Sequence, residues 1–182
     1  MRIKSRWSKK DKTHSVEEIA GALAFIAWRI ATNGVLSMEN ADFQTESQQQ
    51  RLEIIAEFLA FTIHIADRMT IERFDEKQRM DFMTELALKC AKHMEDNKRD
   101  VIGAGEYRQE FIDLLNRRMA DYAEFGFSEE EGPSFGMMRF FGDQVSKIFG
   151  ERDQQWVNSQ VIDIEVPEIM KHLKRATPNL FM

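Results

Sequence analysis

The strongest constraint on the fold is an apolar run at residues 54–66, which reads IIAEFLAFTIHIA and contains only two ionisable residues, Glu57 and His64. The run is too short to span a bilayer, which takes about 20 residues of helix. A helix that is apolar on nearly every side is usually buried inside a protein. We therefore expect this run to form a central helix that other helices surround.

Helix signals cover most of the remaining chain. Ser15 with Glu18 forms a capping-box pattern, and Asp75 with Gln78 forms another. Apolar residues behind these caps recur at helical spacing. The predicted helices run from Ser15 to a stop at Asn33-Gly34, from about Glu46 to Arg73, from Asp75 to Gly103, from Tyr107 to Tyr122, from about Ser134 to Phe149, and from about Asp153 to Pro178 with a kink or restart at Pro167.

No segment of useful length alternates apolar and polar residues as a strand does. The nearest candidate, residues 161–166, fits the end of a helix equally well. The sequence therefore predicts an all-α protein, a compact bundle of five to six helices with no significant β-sheet.

The charge is divided unevenly along the 182 residues, which carry a net charge of −6. The first twelve residues are strongly basic, and the rest of the chain is acidic. We predict that residues 1–14 form a basic flexible N-terminal arm and that residues 15–182 form a single helical domain. An acidic body argues against nucleic-acid binding. A weaker alternative is that the arm contacts an anionic surface through Trp7.

A search for catalytic motifs finds no Gly-rich phosphate loop, no nucleophile elbow and no dinucleotide fingerprint. It also finds no Glu-x-x-His pair of the kind that di-iron bundles use. The single cysteine excludes a disulfide framework within the chain and favours a reducing compartment. We therefore expect a cytoplasmic protein that is more probable as a binding module than as an enzyme, with no cofactor and no transmembrane segment.

Four polar residues form the alternative candidate site, and it would bind a metal ion or a small molecule. Cys90 and His93 stand three apart on one helix, as do His64 and Asp67 on another. Two ligands do not complete a zinc site, so the two helices would have to bring both pairs together. The ordinary interpretation is that Cys90 is a buried thiol and that His64 lies on a narrow solvated stripe with Glu57.

The segment at residues 125–150 is rich in both phenylalanine and glycine, with six of the 14 Phe and five of the nine Gly. Each glycine weakens a helix by up to about 1 kcal/mol relative to alanine, which suggests a segment where close approach is useful. We predict a groove for a partner helix or an apolar ligand, lined by Phe127, Phe135, Phe140 and Phe141. The alternative is that this segment is plain core.

Together these features predict a non-enzymatic helical interaction or adaptor protein. It would act through self-association as a homodimer, the commonest oligomer, or through the aromatic surface. The alternative function is a small-molecule- or metal-binding helical protein, with enzymes included, which would use His64, Asp67, Cys90 and His93.

Overall fold

The structure is a computed structural model that describes residues 13–181. Helices account for nearly all of it, which confirms the predicted all-α bundle. A 3₁₀ turn, Ile71–Arg73, follows the second helix, and a π-helical segment, Val161–Glu165, joins the last two without a break. Residues 1–12 of the predicted basic arm lie outside the described residues. The helices are α1 Val16–Asn40, α2 Gln48–Thr70, α3 Glu76–Ile102, α4 Tyr107–Ala123, α5 Phe135–Ser146, α6 Glu151–Gln160 and α7 Val166–Leu180.

The apolar run forms the middle of α2, as predicted. Every residue from 54 to 67 is buried, and Leu59 and Ile63 have no exposed surface. The helix packs against α1, α3, α4, α5 and α7. Since neighbours cover it on all sides, the middle of this helix has no side that faces solvent, which explains why its sequence is apolar almost all round.

The prediction that α1 ends at Asn33-Gly34 is wrong, because α1 continues to Asn40. Gly34 is buried where the helix meets α2, and a Cβ at this position would lie 2.5 Å from Phe58 Cε1. The glycine therefore allows close packing of two helices rather than a left-handed turn.

The observed stop of α1 is a Schellman motif around Asp42, which has a φ of 72°. The Phe43 N–H donates to the Met38 carbonyl, and the Asp42 N–H donates to the Glu39 carbonyl, each at 3.1 Å. Asp and Asn tolerate the left-handed region better than most residues. The connector to α2 is consequently shorter than predicted.

α1 is also the one helix within residues 13–181 that is long and apolar enough to cross a membrane by length and composition. Half of its most apolar window is buried inside the bundle, and core helices of soluble proteins meet the same criterion.

Other predicted helix ends agree more closely with the structure. The capping boxes at Ser15 and Asp75 are both formed, and Gly103, at a φ of 104°, ends α3. The sequence predicts that Pro167 kinks or restarts the last helix. The structure shows the π-helical segment directly before it and places Pro167 in the first turn of α7. Proline lacks the N–H that an uninterrupted α-helix would use there.

A short β-hairpin, with two residues in each strand, joins α4 to α5 and positions the candidate site. Strand β1, Phe127–Ser128, pairs antiparallel with β2, Gly132–Pro133. Gly132 has a φ of 78°, and a Cβ there would lie 3.5 Å from Met170 Cε, so the hairpin backbone rests on α7. The tip of the hairpin carries three consecutive glutamates, residues 129–131, all exposed.

Candidate functional site

The four predicted groove residues occupy different environments. Phe135 is 61% exposed at the start of α5, and Phe127 is half-buried in the hairpin. Phe140 is half-buried, with its ring 5.5 Å from the Tyr122 ring. Phe141 has no exposed surface. The four therefore do not line one groove, and only Phe127 and Phe135 remain candidates for contact with a ligand or partner.

Phe141 is a core residue, which corrects its predicted role in the groove. Its ring stacks on Phe61 with centroids 4.3 Å apart and meets Phe58 edge-on at 5.0 Å. The helical turn of α5 directs position 141 toward α2, whereas position 140 faces α4. Adjacent residues on a helix point about 100° apart, so the Phe140-Phe141 pair cannot line the same surface.

Phe127 lines a cleft between the hairpin, the end of α2 and α7. We call it the hairpin cleft, and its volume is about 320 Å³. Its apolar wall is formed by Met69, Phe127, Met170 and Pro178. Methionine side chains are flexible and polarisable, which suits a surface that adapts to an inserted apolar group.

Charged side chains of opposite sign flank the hairpin cleft. Arg73 and Lys174 line one side, and Glu129 lines the side toward the hairpin tip. The Arg73 guanidinium lies over the Phe181 ring at 5.0 Å. None of Arg73, Lys174 and Glu129 forms an ion pair within residues 13–181. The cleft thus combines an apolar interior with charged side chains that form no ion pair in the described part of the chain.

The alternative site of four polar residues is not assembled. Asp67 forms a two-bond ion pair with Arg79, at 2.8 and 2.7 Å. The His93 ring stacks on Trp28, with centroids 5.7 Å apart. Within residues 13–181, no three His, Cys, Asp or Glu side chains are grouped closely enough to hold a metal ion.

Cys90 is fully buried on α3, as its position on the apolar stripe predicts. Burial alone raises the pKa of its thiol far above the ordinary value, because a thiolate would be poorly solvated there. Since the thiolate is the reactive form, Cys90 is unsuited to nucleophilic chemistry.

The polar stripe of α2 is buried, which contradicts the prediction that it faces solvent. Glu57 is 5% exposed and His64 is 2% exposed, because α4 covers both. Arg118 of α4 donates two hydrogen bonds to the Glu57 carboxylate, at 2.8 and 2.7 Å. The stripe is therefore the polar part of the α2–α4 interface.

His64 accepts a hydrogen bond at Nε2 from the Arg68 Nε–H, at 3.1 Å. Within residues 13–181, its Nδ1 and the hydroxyl of the neighbouring Tyr122 have no hydrogen-bond partner. The two rings lie 5.4 Å apart, and burial raises the pKa of Tyr122 well above its ordinary value. This cluster keeps both groups neutral and away from solvent, an arrangement that suits packing better than catalysis.

Acidification tests this environment. Burial, then the charge of Arg68, lowers the pKa of His64 from 6.5 to about 4; Asp67 opposes the shift and Arg79 adds to it. Between these pH values the unfolded chain takes up a proton that the folded protein excludes. We therefore expect the free energy of unfolding to fall as the pH decreases from 6.5 toward 4.

Urea unfolding at pH 7 and pH 4.5 measures this effect in the wild type and in His64→Gln. The variant should lose less stability on acidification than the wild type. Equal losses in the two proteins would contradict the assignment of a neutral buried His64.

Sequence reasoning missed most of the hairpin cleft. Met69 lies in the last turn of α2 and Arg73 lies in the 3₁₀ turn after it, while Met170 and Lys174 lie one turn apart on α7. The amphipathic pattern of α7 gives a partial signal for the second pair. Only the hairpin turn, which has no long strand pattern, brings Phe127 against both helices.

Comparisons with models of protein families, with curated proteins and with solved structures find no match to this chain. The geometry of the described residues is therefore what indicates a function.

Proposed function

We propose that this protein is a non-enzymatic helical interaction protein that self-associates through the hairpin cleft. The observation that carries the proposal is the cleft itself, in which an apolar interior lies between an acidic hairpin and a basic side of α7. Its chemistry matches the centre and rim of a protein interface better than that of a catalytic pocket.

The charge pattern supports self-association. In a twofold-symmetric dimer, each copy presents the same patch, so the patch must complement itself. Glu129 of one copy would meet Lys174 of the other, and the symmetric contact would form at the same time. Both side chains lack an ion-pair partner within the described part of the chain. Dimer formation would give each of them a partner of opposite charge on the other copy.

Exposed apolar area beside the hairpin supports the same conclusion. Phe135 directly follows Ser134, the N-cap of α5, and more than half of its surface is open to solvent. Large aromatic side chains contribute strongly to interface energies when a partner buries them. An exposed phenylalanine two residues after the hairpin in the sequence is thus suited to packing against a second copy.

The candidate catalytic residues give the enzyme alternative little support. His64 and Cys90 are enclosed, and Asp67 is held by Arg79. A group that acts on a substrate must reach it. None of these side chains lines the hairpin cleft, so a binding function accounts better for the accessible site.

Reciprocal charge reversal tests the proposal by sedimentation equilibrium. We expect Lys174→Glu and Glu129→Lys each to raise the dimer dissociation constant at least about tenfold, because like charges would then oppose each other. The double variant should restore most of the affinity, since it exchanges the two charges. Lys147→Glu makes the same charge change at an exposed lysine beyond the other end of α5 and should have little effect.

A wild-type chain that stays at its monomer mass of 21.3 kDa at about 100 µM would contradict the proposal. So would a dimer that Lys174→Glu and Lys147→Glu weaken equally, because the effect would then reflect net charge rather than contact at the cleft.

A further inference from the structure

A second cleft lies on the other side of α7, where that helix meets α1. We call it the α1–α7 cleft, and its volume is about 360 Å³. This is within the size range of small-molecule sites. Its lining alternates between the two helices, with Ile26, Arg29, Ile30 and Asn33 from α1 and His172, Arg175, Ala176 and Asn179 from α7.

The ionisable groups that line this cleft are all basic. Arg29, Arg175 and His172 line it, and no carboxylate does. Glu168, one turn away on α7, lies 3.7 Å from His172 Nε2 but does not line the cleft. This concentration of basic groups stands out on a chain with a net charge of −6.

Both guanidinium groups lack a carboxylate partner within residues 13–181. The Arg29 guanidinium lies over the Phe25 ring, 5.9 Å from its centroid. Neither Arg29 nor Arg175 forms an ion pair within the described residues. By contrast, Arg79 and Arg118 are each held by a carboxylate. Two guanidiniums that line one concave surface make it positively charged, which favours an anion there.

The other lining groups indicate which anion fits. Asn33 adds an amide that can donate a hydrogen bond, and the Asn179 amide is anchored beside Arg175 by its bond to the Arg175 carbonyl, at 3.2 Å. Ile26 and Ile30 supply an apolar floor. Guanidinium groups match the oxygen geometry of phosphate, and a phosphate dianion offers both arginines a charge.

We propose that the α1–α7 cleft binds a phosphate monoester, with Arg29 and Arg175 on the phosphate and the two isoleucines against its organic part. The site lies on the opposite side of α7 from the hairpin cleft and does not depend on self-association. A free organic phosphate and the headgroup of a monoester lipid share this chemistry.

Isothermal titration with phenyl phosphate tests the free ligand, and acetate at equal ionic strength serves as the control anion. We expect phenyl phosphate to bind at least tenfold more tightly than acetate. Arg29→Gln and Arg175→Gln should each weaken binding at least tenfold. Arg139→Gln, at an exposed arginine of α5, should leave it unchanged. All three positions are exposed, so unfolding temperatures should stay close to wild type.

Flotation with vesicles tests the lipid source, by comparing phosphatidylcholine alone with phosphatidylcholine containing phosphatidic acid. Binding to phosphatidic acid that Arg29→Gln and Arg175→Gln abolish supports a lipid headgroup. Binding to phenyl phosphate without vesicle binding supports a free ligand. The proposal is overturned if neither probe binds at millimolar concentration, if acetate binds as tightly, or if Arg139→Gln weakens binding as much as the cleft variants.

Discussion

Replacing Phe141 with alanine should lower the free energy of unfolding by about 3–5 kcal/mol, the cost of deleting a fully buried aromatic side chain. The ring has no exposed surface and contacts both Phe58 and Phe61 on the central helix. Its removal would leave a cavity between α5 and α2 as well as lost transfer energy. Urea denaturation monitored by circular dichroism measures this cost.

Phe135→Ala is the matched control, since it makes the same chemical change on the same helix. Its side chain is 61% exposed, so at a protein concentration low enough to keep the chain monomeric its effect on unfolding should stay within about 0.5 kcal/mol. A small cost for Phe141→Ala, similar to that of the control, would show that Phe141 is exposed. The predicted aromatic groove would then be supported.

The contrast between these two residues shows what the sequence could establish about the aromatic segment. Composition identified an unusual segment, and its glycines pointed to close contacts. The structure places Gly142 against α6, where a Cβ would clash with the Asn158 side chain. Composition does not give the rotation of a helix about its axis, however, and that rotation separates core from surface.

Helix ends were predictable where the signal was local. The capping boxes at Ser15 and Asp75 form because the side chain and the backbone amide that it caps lie three residues apart. The predicted helix end at Gly34 is wrong because this glycine makes room for the Phe58 ring, and Phe58 lies 24 positions away in the sequence. A glycine that permits close packing and a glycine that ends a helix look alike in a single sequence.

The candidate site failed in a related way. The polar stripe at Glu57 and His64 resembles a solvated face, because polar residues usually face water. Burial of that stripe depends on Arg118, which α4 contributes from a distant part of the chain. Pairing partners in the tertiary structure thus determine whether a polar residue on a helix is exposed.

Replacing Arg118 with alanine should be the other severely destabilising change, with a cost of about 3–5 kcal/mol. Arg118 donates two hydrogen bonds to Glu57, whose side chain is 6% exposed. Loss of the guanidinium would leave a buried carboxylate without its ion-pair partner. Desolvation of an unpaired charge is far more costly than loss of a surface ion pair. This single change should therefore weaken the packing of α4 on α2.

A double variant separates the buried charge from simple loss of packing. Glu57→Gln combined with Arg118→Ala removes the carboxylate charge, so it should recover part of the stability that Arg118→Ala loses. Lys92→Ala breaks the exposed pair with Asp96 and should cost no more than about 0.5 kcal/mol. If Arg118→Ala costs as little as Lys92→Ala, or if Glu57→Gln recovers nothing, the carboxylate is solvated and the α2–α4 interface is more open than the structure shows.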